Sequence, residues 1–189
     1  FESRERMDDP DTELVTRAGR GDRAAAAALV RRHSAKLFTL ARRMLGADGD
    51  AEDAVQDAFL KLWTHAARWR PGAARLETWL YRVTLNACYD RLRAKRPVPL
   101  DEALELADAA PGPDQGLDAP KLAAAVAAAL AELPERQRAA ILLCHHQEQT
   151  NIAAAEILGL SVEALESLLA RARRNLRARL GEARDLLGD

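Results

Sequence analysis

Between residues 69 and 96 the 189-residue chain interleaves aromatic rings with cations. Trp69-Arg70 comes first, then Arg75, Trp79, Tyr81 and Arg82, then Tyr89, Arg91, Arg93, Lys95 and Arg96. Rings stack on bases while cations hold phosphates, so the pattern suits single-stranded or melting DNA. For any one ring core packing is the commoner outcome, and Trp69 stands apart because it falls in an expected loop. A second set, Arg171, Arg173, Arg174, Arg177 and Arg179, has no acid among its members and suits phosphates, with an affinity that falls with salt. A third set is acidic and apolar: Asp50, Glu52, Asp53 and Asp57 with Gln56, Phe59, Leu60 and Trp63. It fits a protein partner or, more plainly, a core stripe backed by a solvated acid face.

Other chemistry is poorly supplied. No nucleophile motif, P-loop or dinucleotide fingerprint occurs, so no enzyme is expected. Cys144-His145-His146 are adjacent on one helix and point apart, whereas a tetrahedral metal site needs wider spacing. Neither a metal nor another cofactor is expected. Cys88 and Cys144 fit no disulfide framework, and a reducing, cytoplasmic setting is the default. No apolar run approaches the roughly 20 residues of a spanning helix, and the charged start FESRERMDDP is no signal peptide. Met7 is the expected natural start, with Phe1 to Arg6 foreign to it.

The elements that must position these residues all read as helices. Apolar residues make up 48% and aromatics 4%, and Ala, Leu and Arg favour helix. Asp11 or Thr12 caps a short helix through Ala18. Asp22 caps a second over Arg23 to Leu45, with Leu37, Leu40 and Met44 at helical spacing and Gly46 as its stop. Asp50 begins a third, striped by Val55, Phe59, Leu62 and Trp63. Pro71-Gly72 marks a loop. Glu77 or Thr78 starts a fourth helix, which ends before Pro97.

Further on, Leu122–Ala131 is helical, and Pro134 opens a helix running to about His145. Thr150 or Asn151 caps another through Leu158, Gly159-Leu160 turns the chain, and Ser161 caps the last, to about Leu180. Ala153 and Ala154 allow close approach, while Ile157, Leu160, Val162 and Leu165 can fill the corner. This is a helix-turn-helix pattern, whose second helix reads base edges in the major groove. A helical hairpin with a solvated arginine face is the plainer alternative.

The net charge of −1 conceals three blocks. Residues 1–96 carry 19 Lys/Arg against 14 Asp/Glu; residues 97–120 carry six acids and no Lys/Arg; residues 121–189 hold nine of each. The acidic stretch also contains Pro97, Pro99, Pro111, Pro113 and Pro120. Prolines remove backbone donors and like charges repel, so it reads as an interdomain linker, with a short helical turn at Leu100–Leu106. The expectation is an all-α chain of two small helical domains, 11–96 and 121–185, joined by the acidic linker 97–120.

Taken in order, DAEDAVQDAFLKLWTHAARW (50–69), LETWLYRVTLNACYDRLRAKRP (76–97), the linker, LPERQRAAILL (133–143) and the helix-turn-helix resemble the extracytoplasmic-function (ECF, group IV) sigma-70 factors of bacterial RNA polymerase. The resemblance covers about Asp11 to Leu180. It implies a region-two domain at 11–96, binding core polymerase and the minus-ten element, and a region-four domain after the linker. It implies that Asp53, Gln56, Asp57, Phe59, Leu60 and Trp63 bind the β′ clamp helices of the polymerase core, with region four at the β flap. It implies that Trp69, Arg70, Asn86 and Arg91 take minus-ten DNA and capture a flipped base. Ser167, Ala170, Arg171 and Arg174 would read the minus-thirty-five element.

The sequence departs from the common pattern at Glu166, where many relatives carry a basic residue, and at Cys144, where Arg is frequent. Glu accepts from cytosine N4, so Glu163 and Glu166 alter rather than exclude DNA reading. The Glu166-Ser167-Leu168-Leu169-Ala170-Arg171 variant looks like a subgroup partnered by zinc-containing anti-sigma factors. The implied function is promoter recognition, DNA melting and stress-responsive initiation under an anti-sigma factor. A stand-alone helix-turn-helix regulator, or a sigma mimic that only sequesters an anti-sigma factor, are the rival expectations.

Overall fold

A computed structural model describes residues 9–70, 72, 74–95 and 119–186. The described residues are helical throughout: α1 (Thr12–Gly19), α2 (Arg23–Leu45), α3 (Asp48–Ala66), α4 (Leu76–Lys95), α5 (Ala119–Ala131), α6 (Glu135–Ile141), one π-helical turn (Leu142–His146), α7 (Asn151–Leu158) and α8 (Val162–Leu186). The expected turn at Leu100–Leu106 lies outside the described residues. Helix α5 begins at Ala119, two residues inside the expected linker, since Pro120 is tolerated in a first turn. Among the described residues no helix is long and apolar enough to cross a membrane.

In the first cluster α2, α3 and α4 pack on one another, and α1 crosses α2 and α3. Asp22 caps α2, its carboxylate accepting from the N–H groups of Ala24 (2.9 Å) and Ala25 (3.1 Å) and gripping Arg17. These backbone bonds first, and Arg17 second, hold the Asp22 carboxyl below its usual range. Asp11 precedes α1 but its side chain does not cap it. The carboxylate is instead buried, 2.6 Å from His33 Nε2 and bonded to Arg32. Asp9 accepts from the Leu76 N–H at 2.7 Å, tying the chain start to the first turn of α4. Gly19 is needed for space: a Cβ there would lie 2.6 Å from the Ala66 carbonyl oxygen at the end of α3.

In the second cluster α8 packs on α5, α6 and α7. The expected single helix to His145 changes at Leu142 into a wider turn. Gln147 N–H bonds Leu142 O and Gln149 N–H bonds Leu143 O, each at 3.0 Å. The widening coincides with three successive buried side chains, Ile141, Leu142 and Leu143, more than a regular amphipathic face supplies. Thr150 Oγ1 caps α7 through Ala153 N–H, and Ser161 Oγ caps α8 through Ala164 N–H, both at 3.2 Å. Between them Gly159 (φ 64°) takes the left-handed conformation that ends α7 and allows Leu160 N–H to bond Ala155 O at 2.9 Å.

The two clusters touch. Helix α2 meets α5, α6 and the π turn, and α4 meets α7. Leu37, Met44 and Leu80 on one side belong to the same continuous core as Leu130, Leu143 and Ile157 on the other.

Candidate polymerase and nucleic-acid interfaces

Helix α3 divides its faces by helical period. Ala51, Ala54, Val55, Ala58, Phe59 and Leu62 face inward, and Asp53, Gln56 and Leu60, at i, i+3 and i+7, face solvent. Leu60 is 55% exposed, the clearest apolar side chain on this strip. Phe59 is only 6% exposed and stacks on Trp63, ring centroids 5.9 Å apart. Phe59, expected as a surface contact, is thus turned inward beneath the strip with Trp63 beside it, and Leu60 is the exposed apolar side chain. Asp57 bonds Arg91 of α4 at 2.8 Å, so two residues assigned to different partners neutralise one another. Lys95 likewise bonds Asp50.

At the far end of α3 the chain leaves through Trp69 and Arg70. The Trp69 ring stands edge-on to Trp79 (5.9 Å, 89°), and the His65 ring lies 5.8 Å from Trp79, tilted by 39°. The Trp69 Nε1–H is buried without a partner. Arg68, Arg70 and Arg75 around it are exposed, with no ion-pair partner among the described residues. Asn86 is exposed on α4, two turns beyond Trp79 on the same side. Thus Trp69, followed by Arg70, packs against Trp79 near the start of α4, Asn86 is exposed two turns further along that helix, and Arg91 bonds Asp57. His65 belongs with them as a ring neighbour that sequence reading left without a partner.

Helix α8 presents Ser167, Ala170, Arg171 and Arg174 to solvent, and buries Leu165, Leu169 and Ala172. Arg171 Nε bonds the Ser167 carbonyl at 3.3 Å, while Arg174 and Arg177 have no partner among the described residues. Glu163 sits in the first turn, its carboxylate held below the usual range by its own backbone N–H and then by the Ser161 hydroxyl. Glu166 is exposed beside the reading residues.

Three tertiary features had no sequence signal. Tyr81, expected to stack or pack, is fully buried, and its hydroxyl bonds Gln147 Oε1 at 2.9 Å; burial raises its pKa well above the ordinary phenol range. Arg82 bonds the carbonyls of Glu156 and Ile157 at the end of α7, and Arg136 takes the Leu158 carbonyl at 3.2 Å. Arg138, 7% exposed, bonds the Met44 carbonyl of α2 at 2.5 Å and the Ala131 and Leu133 carbonyls around the end of α5. Burial pushes the Cys88 thiol up to about 12, leaving it inert at neutral pH. Among the described residues no group of three His, Cys, Asp or Glu side chains could hold a metal ion.

Comparison with known proteins agrees with this geometry. The sigma-70 region 2 family model matches residues 29–98 and the sigma-70 region 4 model matches residues 123–176. The chain is 38% identical over 174 residues to the ECF RNA polymerase sigma factor SigM of Mycobacterium tuberculosis, covering 90% of this chain and 85% of that relative. Its fold matches CnrH solved in complex with the cytosolic domain of CnrY (TM-score 0.70, 31% identity, 91% of this chain and 97% of that one). It also matches the sigma factor RpoE of Bartonella quintana, solved with the anti-sigma factor NepR (TM-score 0.64, 26% identity, 82% and 96%). With both family regions present in order and relatives aligned over most of their length, the chain belongs to the ECF (group IV) sigma-70 family of RNA polymerase sigma factors.

Proposed function

We propose that the protein joins core RNA polymerase through the exposed α3 strip and contacts promoter DNA at two separate surfaces. Asp53, Gln56 and Leu60, backed by Phe59 and Trp63 and flanked by Asp57, fit the β′ clamp helices, with region four at the β flap. Trp69, Arg70 and Asn86 form the minus-ten surface, joined by Arg91 once it exchanges Asp57 for phosphate. The buried, unpartnered Trp69 Nε1–H supports base capture, because a base oxygen would satisfy a donor that costs about 1–3 kcal/mol to leave unpaired. Ser167, Ala170, Arg171 and Arg174 form the minus-thirty-five surface. The domain division remains 11–96 and 121–185, with 97–120 between them.

An anti-sigma factor is the regulatory partner, as NepR is in the RpoE complex, and a zinc-containing one is the class that the α8 sequence favours. The single observation carrying this reading is the solvent-facing Arg171 and Arg174 on a capped helix-turn-helix, in the same chain as an exposed acidic and apolar α3 strip. Reconstituted transcription tests it. Promoter-specific transcripts should require both this chain and core polymerase. Sequence-specific binding by the free chain that polymerase does not change would favour a stand-alone regulator, and partner capture without transcripts a mimic.

A further inference from the structure

We propose that Glu166 is a specificity-determining residue of the minus-thirty-five surface: its carboxylate accepts a hydrogen bond from the N4 amino group of one cytosine in the major groove. The inference rests on the minus-thirty-five assignment above and adds the base that α8 selects.

The two acids at the start of α8 do different work. Glu163 lies in the first turn, where its carboxylate accepts from its own backbone N–H and from the Ser161 hydroxyl, so it belongs to the cap. Glu166 is the fifth residue of α8, beyond the first turn in which a carboxylate gains from the helix dipole. The residues three and four positions from it are Val162, Glu163, Leu169 and Ala170. No cation therefore supports it along the helix, and Glu163 repels it. Arg171 turns its Nε back to the Ser167 carbonyl instead. Among the described residues the exposed Glu166 carboxylate has no hydrogen-bond or ion-pair partner. Neither capping nor an ion pair accounts for an acid at this position.

Base chemistry does account for it. The N-terminal residues of a recognition helix meet base edges. Ala170, one turn further on the same side, has only a methyl and leaves the space around the carboxylate open. A carboxylate is an acceptor only, and the phosphates flanking the groove repel it unless a donor holds it there. Guanine N7 and O6 and thymine O4 are acceptors too and exclude it. Adenine offers its N6 amino group but sets the N7 acceptor beside it, an arrangement that suits an amide. Cytosine offers its N4 amino group with no acceptor of its own in the groove. Arg171 and Arg174, exposed further along α8, supply the attraction to phosphate that an acid forgoes. Glu166 thus contributes selection, and the arginines affinity.

The test reconstitutes the full chain with core RNA polymerase, transcribes a duplex pool randomised over both promoter elements, and sequences the templates that yield transcripts. The parent should favour cytosine about tenfold over each other base at one minus-thirty-five position. Glu166→Gln should move the preference at that position to adenine, whose N6 and N7 pair with an amide, and Glu166→Lys should move it to guanine. Neighbouring positions should keep their bases, and Glu163→Gln should leave the cytosine in place. Because Glu166 is exposed and unpartnered, both of its variants should unfold at the parent's temperature. The same consensus from every chain, a preference lost across the whole element, a base other than cytosine at the responding position, or a cytosine that follows Glu163 would each overturn the proposal and leave the sigma-factor reading intact. A parent that starts no transcripts from the pool would overturn that reading, and the proposal with it.

Discussion

The two clusters spend their charge differently. In the first, seven cations pair with acids: Arg17 with Asp22, Arg32 with Asp11, Lys36 with Glu77, Arg42 with Asp48, Arg91 with Asp57, Arg93 with Asp90 and Lys95 with Asp50. In the second, Arg179 pairs with Glu132, while Arg136 and Arg138 take backbone carbonyls and Arg173 lies against a histidine. Net charge therefore does not say which cations are available. The first cluster keeps Arg68, Arg70 and Arg75 exposed beside Trp69, without ion pairs among the described residues, and the formally balanced second cluster keeps Arg174 and Arg177. What attracts a phosphate is the set of unpaired cations, and only geometry reveals it.

The contrast can be broken most strongly at Asp11. Replacing it by Ala leaves the buried His33 Nε2 without its hydrogen-bond partner, and should cost about 1–3 kcal/mol, read as a lower denaturant midpoint. An equally stable variant would show that this buried contact does not hold the first cluster. Gly19→Ala comes next: its Cβ meets backbone at Ala66, which cannot swing aside, and about 1–3 kcal/mol should be lost in thermal unfolding.

A paired substitution then sharpens the division of labour. Leu60→Ala should weaken core-polymerase affinity about tenfold with stability changed by less than about 0.5 kcal/mol, because the side chain is already exposed. Arg174→Ala should leave polymerase affinity intact and reduce the salt slope of minus-thirty-five binding by about 1. If each variant impaired both interactions alike, the two surfaces would not be separate.

The smallest effect concerns pH. Desolvation first, then Arg43 and neighbouring His145, lower the His146 pKa below the ordinary 6.5. The unfolded chain then takes up a proton before the folded one does. The contribution is present above pH 6.5 and is lost as pH falls through the lower folded value. His146→Gln should flatten that part of a melting-temperature profile, and an unchanged profile would remove His146 from the contact with Arg43.

Much of the fold could be read from local chemistry. Asp22, Thr150 and Ser161 cap the helices expected of them, because a short polar side chain satisfies orphan N–H groups within its own turn. The helix-turn-helix followed from Gly159 and the apolar corner for the same reason. Asp11 was misread as a cap because nothing local announces a histidine 22 residues away. The π turn has no counterpart in the helical period of 135–145, and it closes an unbroken buried run from Arg138 to Leu143 that period alone does not produce.

The candidate surfaces divide in the same manner. The family resemblance singled out Asp53, Gln56, Leu60, Ser167 and Arg174, and their shared exposure follows from spacing, since a helix displays every third or fourth residue on one side wherever it packs. Tertiary structure alone decided that Phe59 turns inward, that Arg91 is held by Asp57, and that Arg82 and Arg138 grip the carbonyl ends of distant helices. A guanidinium can reach any acceptor brought near it, and which acceptor arrives depends on how helices far apart in the chain come to lie together.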